Sequence, residues 1–203
     1  MEPKLNLLRE YIRETLLTEA AKGVSDLHEF EFVRLIKKDG YVQFSIQFDD
    51  DSGGYFPPIG AVLIQQRRTP PPCLDAWVVS HTFAKDGWGP MLYDVAMEWA
   101  TEYGGGMMSD RVSVSDDAYG IWDYYMKNRP DVEVEQLDLP NDSFKNGPQD
   151  DCKQSSTFKH LIKQDLDDDA WVDIPLSKVY RKPGMKTINA LKAAGKFREE
   201  EGR

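Results

Sequence analysis

The sequence predicts a mixed α/β domain, and three observations favour this fold class. The middle of the chain, residues 74–139, reads as strand–helix–strand–helix–strand. Such an order is typical of a sheet with helices packed against it. Two β-rich runs before it are joined by an Asp39-Gly40 turn, which is typical of a hairpin. A further β-rich segment, residues 170–182, returns near the C-terminus.

The first predicted element is an amphipathic helix over residues 3–22. Its apolar positions recur at intervals of three and four, which is the spacing of one helix face: Leu5, Leu8, Ile12 and Leu16. Gly23 is a typical helix stop. Acidic residues interrupt this segment too often for a secretory signal or a mitochondrial presequence.

Turn residues delimit the strands and helices that follow. The hairpin is expected within residues 30–50. Further strands are expected at 59–68, 74–83, near 106–111 and at 132–139, and helices at 90–103 and 115–129. Pro90 suits the first turn of one helix, Ser115 suits the N-cap of the next, and Pro130 ends it.

The composition changes after residue 139. Residues 140–170 are polar, acid-rich and aperiodic, which predicts an extended inserted loop. The last residues predict a C-terminal helix with a charged tail over 183–203. We therefore expect an N-terminal helix (1–23), one domain (24–182) that carries the acidic insertion, and a C-terminal helix and tail.

Composition excludes several classes of function. The 203-residue chain has a formal net charge of −10, which disfavours phosphate-driven nucleic-acid binding unless positive charge is gathered in one patch. No run of 18 apolar residues is present, so no membrane partner is expected. Cys73 and Cys152 stand alone, without a CxxC pair or a histidine cluster. They indicate reduced thiols of a cytosolic protein, and no metal site is expected.

A glycine-containing turn connects the predicted strand at 74–83 to the predicted helix at 90–103. It consists of Lys85, Asp86, Gly87, Trp88, Gly89 and Pro90. The first amides of a helix lack partners within it, and the helix dipole favours an anion there. Glycine lets a phosphate approach the backbone closely. The segment is therefore a candidate diphosphate cradle, and the alternative is a tight turn without a ligand. Leu92 breaks the dinucleotide fingerprint, and no Walker lysine follows.

Two segments resemble motifs of the GCN5-related N-acetyltransferase (GNAT) family. Residues 79–92 resemble its acetyl-CoA-binding motif, Gln/Arg-x-x-Gly-x-Gly/Ala, between the fourth strand and the third helix. Gly87 and Gly89 match both glycines, whereas Ala84 departs from Gln/Arg. Residues 115–122 resemble the family's Asn-x-x-Ala-x-x-Leu-Tyr, in which Ala118 matches. The resemblance covers roughly residues 28–139 and implies a GNAT-like mixed, mostly antiparallel central sheet flanked by helices.

The resemblance also implies acetyl transfer from acetyl-CoA to an amine or protein substrate. The family's coenzyme strand supplies backbone donors to the thioester, which points here to Val79 and Ser80. Trp122 stands where many members carry the tyrosine that protonates the leaving thiolate. Because indole lacks that acid chemistry, Tyr125, which lies nearer the same helix face, is the expected acid.

The expected general base is His81 or Asp110, or a water molecule that they hold. Each residue has a structural alternative. His81 could be a satisfied structural histidine on the coenzyme strand. Asp110 could pair with Arg111 and pin its loop, without contact with a substrate.

The chain also resembles acetyltransferase-like proteins of tailed bacteriophages, through residues 86–94, 104–113 and 151–152. Residues 17–20 resemble a site cut by phage prohead proteases, which implies a capsid-targeting leader cleaved between Glu19 and Ala20. The alternative is an ordinary helix packed on the domain. Two functions follow from these resemblances. One is an active N-acetyltransferase of the host cytoplasm, and the other is an inactive GNAT-like domain packaged in the virion interior or used in host interaction.

Overall fold

A computed structural model describes residues 21–49, 57–66, 75–85, 87–110, 114–137 and 173–202. Several expected features lie outside these ranges. They are the helix at 3–22, the Glu19-Ala20 cleavage site, both cysteines, Asp86, Arg111 and the acidic insertion at 140–170.

A mixed sheet of eight strands forms the centre of the described chain. The strands are β1 (Glu31–Lys38), β2 (Tyr41–Phe48), β3 (Gly60–Gln65), β4 (Trp77–Ala84), β5 (Met107–Met108), β6 (Glu133–Gln136), β7 (Lys178–Arg181) and β8 (Phe197–Glu201). Their order across the sheet is β6-β7-β5-β4-β3-β2-β1-β8. Neighbours are antiparallel except in the pairs β4–β5 and β1–β8. The expected mixed, mostly antiparallel sheet is confirmed.

Three α-helices flank the sheet in the described residues: α1 (Gly89–Glu102), α2 (Asp116–Asn128) and α3 (Lys186–Ala193). Two short 3₁₀ turns, Val24–Asp26 and Pro175–Ser177, complete the regular structure. The Ser115 side chain caps α2 by accepting a hydrogen bond from the Ala118 amide at 3.2 Å. Pro90 lies in the first turn of α1, as expected.

The core lies between α1 and the sheet. The apolar face of α1 is buried, and it comprises Leu92, Val95, Ala96 and Trp99. Trp99 packs edge-on against Trp77 of β4 and Phe44 of β2, with ring centroids 5.0 and 6.1 Å apart. These contacts fix α1 over the middle of the sheet, so that its first residues lie beside the end of β4.

The charged C-terminal tail differs from expectation, because it is a strand of the same sheet. Helix α3 ends at Ala193, and Gly195 reverses the chain with a φ of +68°. Residues 197–201 then pair in parallel with β1. Glu199 and Glu200 form ion pairs with Lys37 and Arg34 of that strand. This cross-strand pairing outweighs the low strand propensity of a glutamate run, so residues 183–202 join the domain rather than follow it.

A buried carboxylate joins α1 to the C-terminal part of the chain. Glu98 is 1% exposed and accepts hydrogen bonds from the Thr187 amide, the Thr187 hydroxyl and the Ile188 amide at 2.8–2.9 Å. It also pairs with the Lys182 ammonium at 2.8 Å. The Glu98 side chain therefore caps the first turn of α3 from outside that helix.

We predict that Glu98→Ala destabilises the fold by about 3–5 kcal/mol, because it leaves two buried amides without their acceptor and removes one of the two carboxylates that pair with the buried Lys182 ammonium, the other being Asp94. Urea unfolding at pH 7 measures this loss. Glu102→Ala on the exposed side of the same helix is the matched control, and we expect it to change stability by no more than about 0.5 kcal/mol. Equal losses in the two variants would contradict the role assigned to Glu98.

Candidate functional site

The two strands at the middle of the sheet part soon after they meet. β4 and β5 pair in parallel over only two positions, Trp77 with Met107 and Val78 with Met108. β4 continues to Ala84, whereas β5 ends at Met108. Beyond this fork, the described residues provide no strand partner for β4 on that side.

A β-bulge at Ser80 marks the same point on the opposite edge of β4. The pairing of β3 with β4 shifts by one residue, since Leu63 lies opposite His81 whereas Ile64 lies opposite Val79. Ser80 is thus the extra residue, and its hydroxyl donates to the Leu63 carbonyl at 3.3 Å. Bulges bend a strand and increase its twist, and they occur often next to functional sites. Here the bulge lies two residues after the last position at which β4 pairs with β5.

A cavity of about 240 Å³ opens at this fork. Residues of β4, α1, α2 and the segment after β5 contribute to its walls, which are lined by Val79, Ser80, His81, Thr82, Tyr93, Ser109, Asp110, Val114, Ser115, Ala118 and Trp122. Four of these lining residues are ones that the sequence predicts for the site: Val79, Ser80, His81 and Asp110. The structure therefore brings both candidate bases and both candidate strand donors to one cavity.

The two candidate bases differ in exposure. His81 is exposed at the mouth of the cavity, and its ring lies 6.3 Å from that of Phe83. Asp110 is half-buried and already engaged in an interaction. His81 is therefore the group with direct access to an incoming substrate.

Tyr125, the expected acid, lies elsewhere. Its side chain is buried, and its hydroxyl oxygen is 2.6 Å from Asp94 Oδ1 and 3.1 Å from the Pro90 carbonyl. The Arg129 guanidinium lies 5.0 Å from the ring centroid and pairs with the same Asp94 at 3.0 Å. Burial, together with the Asp94 carboxylate, holds the pKa of Tyr125 well above its usual range. This geometry gives Tyr125 the role of attaching α2 to the start of α1.

Two hydroxyls that line the cavity are buried without a hydrogen-bond partner among the described residues. Tyr93 is 1% exposed and Ser109 is 2% exposed. Burial, reinforced by the Asp110 carboxylate, raises the pKa of Tyr93 to about 12. The Thr82 side chain offsets part of that rise, but it does not complete a hydrogen bond of good geometry with Tyr93. Most buried hydroxyls in folded proteins are paired, so two unpaired ones in one cavity point to a ligand.

The turn before α1 presents backbone amides. Gly87 has a φ of +84°, a conformation that favours glycine. The Trp88 amide donates to the Lys85 carbonyl at 3.1 Å, and no side chain caps the helix. Among the described residues, the amides of Gly87, Gly89 and Met91 have no acceptor. Gly87 and Gly89 are half-buried whereas Met91 is 3% exposed, so the two glycine amides are the donors most accessible to an anion at the helix start.

The Trp88 ring and two lysine side chains lie at this turn. Trp88 is 3% exposed, because its ring packs into the core. The Lys22 ammonium lies 5.1 Å from the centroid of that ring, and the Lys22 amide donates to the Gly87 carbonyl at 2.9 Å. Lys85, at the beginning of the turn, is exposed. The entrance thus combines open amides with two cationic side chains.

The strand leading to this turn adds further donors. The Lys85 amide donates to the Ile59 carbonyl at 3.0 Å, on the side of β3. Because successive amides of a strand point to opposite sides, the amides of Ala84 and Thr82 point away from β3, to the open side of the fork. The amides of the turn and of the strand edge therefore follow one path along the chain from the start of α1 to the cavity, which Thr82 also lines, and we call this path the groove.

Sequence reasoning did not assign Thr82 or Tyr93 to the site. Tyr93 follows Gly89 by four residues, one helical turn, so it lies on the same side of α1 as the open amides. Its ring contacts that of Trp122 edge-on, with centroids 5.4 Å apart. In the sequence, nothing distinguishes Tyr93 from a core residue of the apolar face of this helix.

The described residues contain neither a candidate metal site nor a candidate membrane-spanning helix. No group of three or more His, Cys, Asp or Glu side chains lies close enough to hold a metal ion. None of the described helices has the length and apolar character needed to cross a membrane.

Comparisons with known proteins add no assignment. No family model, curated protein or solved structure matches the chain.

We predict that Tyr93 destabilises the protein in alkali. With a pKa of about 12 in the fold and about 10 when unfolded, Tyr93 stays protonated in the folded state and ionises on unfolding, so stability falls as pH rises through this window. From pH 9 to pH 11.5 the wild type should lose about 2 kcal/mol more than Tyr93→Phe, measured by urea unfolding. Tyr103→Phe, at a 55% exposed position, should track the wild type. If the difference in the free energy of unfolding between the wild type and Tyr93→Phe stayed constant from pH 9 to pH 11.5, the raised pKa assigned to Tyr93 would be contradicted.

Proposed function

We propose that the protein is an N-acetyltransferase that transfers an acyl group from acetyl-CoA to an amine. The observation that carries the proposal is the groove of unpaired backbone amides. It runs from the start of α1, along the edge of β4 that has no strand partner among the described residues, to the cavity at the fork. This arrangement suits an extended ligand with an anionic end outside and a reactive end inside.

The outer end of the groove suits a diphosphate. The amides of Gly87, Gly89 and Met91 are donors at a helix N-terminus, where the dipole favours negative charge. Lys22 and Lys85 border the same turn and supply positive charge in an otherwise acidic chain. Ala84 stands where the GNAT motif that the sequence resembles has Gln or Arg, so this side-chain donor is missing and the backbone donors remain.

The middle of the groove suits a chain that carries amide groups. The amides of Thr82 and Ala84 are placed to bind carbonyl groups in the manner of an added strand. β4 rises about 3.3 Å per residue, so about 16 Å separates Ala84 from Val79. The pantetheine arm of coenzyme A is an extended chain with two amides, and it would connect a diphosphate at the turn to a thioester in the cavity.

The inner end of the groove suits acyl transfer. Acetyl-CoA, when bound, supplies an acyl thioester at the fork. The reaction forms a bond from nitrogen to the acyl carbon and breaks the bond from that carbon to sulfur, and a proton passes from the amine to the leaving sulfur. His81, exposed at the cavity mouth, is the residue that takes this proton from the amine.

In a second candidate function, the protein binds acetyl-CoA but does not transfer its acyl group. Trp122 lines the cavity where a tyrosine would serve as acid, and Tyr125 is held by Asp94. These two observations favour an inactive acetyltransferase-like domain, which we infer would act as a packaged virion or host-interaction protein. Acetyl-CoA binding without thiol release, across a panel of small amines and lysine peptides, would favour this function over the first.

We predict that Gly87→Leu weakens acetyl-CoA binding at least about tenfold in isothermal titration calorimetry, because a side chain at φ +84° obstructs the approach of a phosphate to the amides. Gly40→Leu is the matched control. Gly40 has a φ of +80° in the β1–β2 turn, with open space around it. Both variants should lose a similar stability, about 1–2 kcal/mol, from backbone strain.

The control variant should bind acetyl-CoA as the wild type does. Binding that is unchanged in Gly87→Leu, or absent from the wild type at millimolar coenzyme, would overturn the coenzyme site.

A further inference from the structure

The cavity at the fork contains two polar groups that the reaction outlined above does not use. They are the hydroxyls of Tyr93 on α1 and Ser109, which directly follows β5. Both side chains are at least 98% buried, both line the cavity, and neither has a hydrogen-bond partner among the described residues. A buried donor without an acceptor costs free energy in the unliganded protein, so the pair is explained best by a ligand that completes it.

The position of the pair identifies which end of the ligand it meets. Ser109 follows Met108, the last residue paired with β4, so it lies at the inner end of the fork. Tyr93 lies one helical turn beyond Gly89, on the inner side of the helix opening. The anion-binding amides lie at the other end of the groove. The two hydroxyls therefore meet the reactive end of an extended ligand rather than its phosphates.

The chemistry of the pair identifies the atom it binds. A phenol and an alcohol that line the same cavity can each donate one O–H to a ligand there. Burial and the nearby Asp110 carboxylate keep the Tyr93 phenol protonated across the physiological range, since they raise its pKa to about 12. Such a group donates a hydrogen bond without giving up its proton. The matching ligand atom is an oxygen that becomes more negative during the reaction.

We propose that the Tyr93 and Ser109 hydroxyls bind the acyl carbonyl oxygen of the thioester and stabilise the negative charge that develops on it. This inference rests on the proposed function and adds the side-chain donors at its reacting centre. It also accounts for the tryptophan at position 122. The Trp122 ring packs edge-on against Tyr93, which fixes the phenol in place without competing for its proton.

Two coenzyme analogues separate this inference from the coenzyme site itself. Acetyl-CoA carries the carbonyl oxygen, and S-ethyl-CoA is a thioether of similar shape that lacks it. Calorimetric titration of the wild type should give acetyl-CoA an affinity about tenfold higher than that of S-ethyl-CoA, which is the effect of a buried donor pair on one acceptor. Tyr93→Phe and Ser109→Ala should each reduce that preference, and the double variant should abolish it, whereas the affinity for S-ethyl-CoA stays constant.

A measurement without ligand tests the same pair independently. Because each substitution removes an unpaired buried hydroxyl, Tyr93→Phe and Ser109→Ala should melt at the wild-type temperature or a few degrees above it. A lower melting temperature would show that the hydroxyl is already paired within the protein and would overturn the inference.

The outcomes distinguish the two proposals. If the wild type binds acetyl-CoA and S-ethyl-CoA equally, the donor pair is wrong and the coenzyme site stands. If the wild type binds neither analogue, the proposed function fails and the donor pair fails with it. Tyr103→Phe, far from the cavity lining, should change neither the preference nor the melting temperature.

Discussion

The parting of β4 from β5 is the constraint on which the site depends. A parallel pair that ended later would fill the edge of β4 with backbone partners, and no groove would remain. The pairing stops after Val78 and Met108, and the bulge at Ser80 bends β4 at the same level. Every group assigned to the site is either on the open part of β4 or on an element that borders the opening.

The cavity at the fork keeps its shape only if the elements around it are fixed in position. Helix α1 supplies that support through two different kinds of contact. Trp99 packs the helix on β4 and β2, and Glu98 ties its middle to the start of α3 and to Lys182. Asp94 extends this polar cluster by accepting from Tyr125 and Arg129 of the α2 region. The residues of α1 that face the cavity are consequently fixed by residues that have no part in it.

The sequence was sufficient for the parts of the fold that depend on local patterns. The Asp39-Gly40 hairpin, the Ser115 cap and the apolar face of α1 each follow from residues close together in the chain. The C-terminal strand could not be predicted in this way, because its glutamates are stabilised by Arg34 and Lys37 more than 160 positions away. Tyr125 was assigned to the site because helical spacing gives the angle of a side chain and not its neighbours. Only the fold shows that Asp94 holds its hydroxyl.

Tyr93 is the opposite case, because the sequence did not assign it to the site although it lines the cavity. It also shows that burial and hydrogen bonding can identify a site residue without an alignment. Nothing in the spacing of a tyrosine on an apolar helix face distinguishes a core residue from a ligand contact. The distinction appears once burial and pairing are known together, since a core tyrosine satisfies its hydroxyl and this one does not. Tyr180 is the comparison within the same protein. It is equally buried, yet its hydroxyl lies 2.7 Å from the Pro175 carbonyl. The fold can thus satisfy a buried phenol where structure alone is at stake, and the exception at the fork is a cost that a bound acceptor would remove.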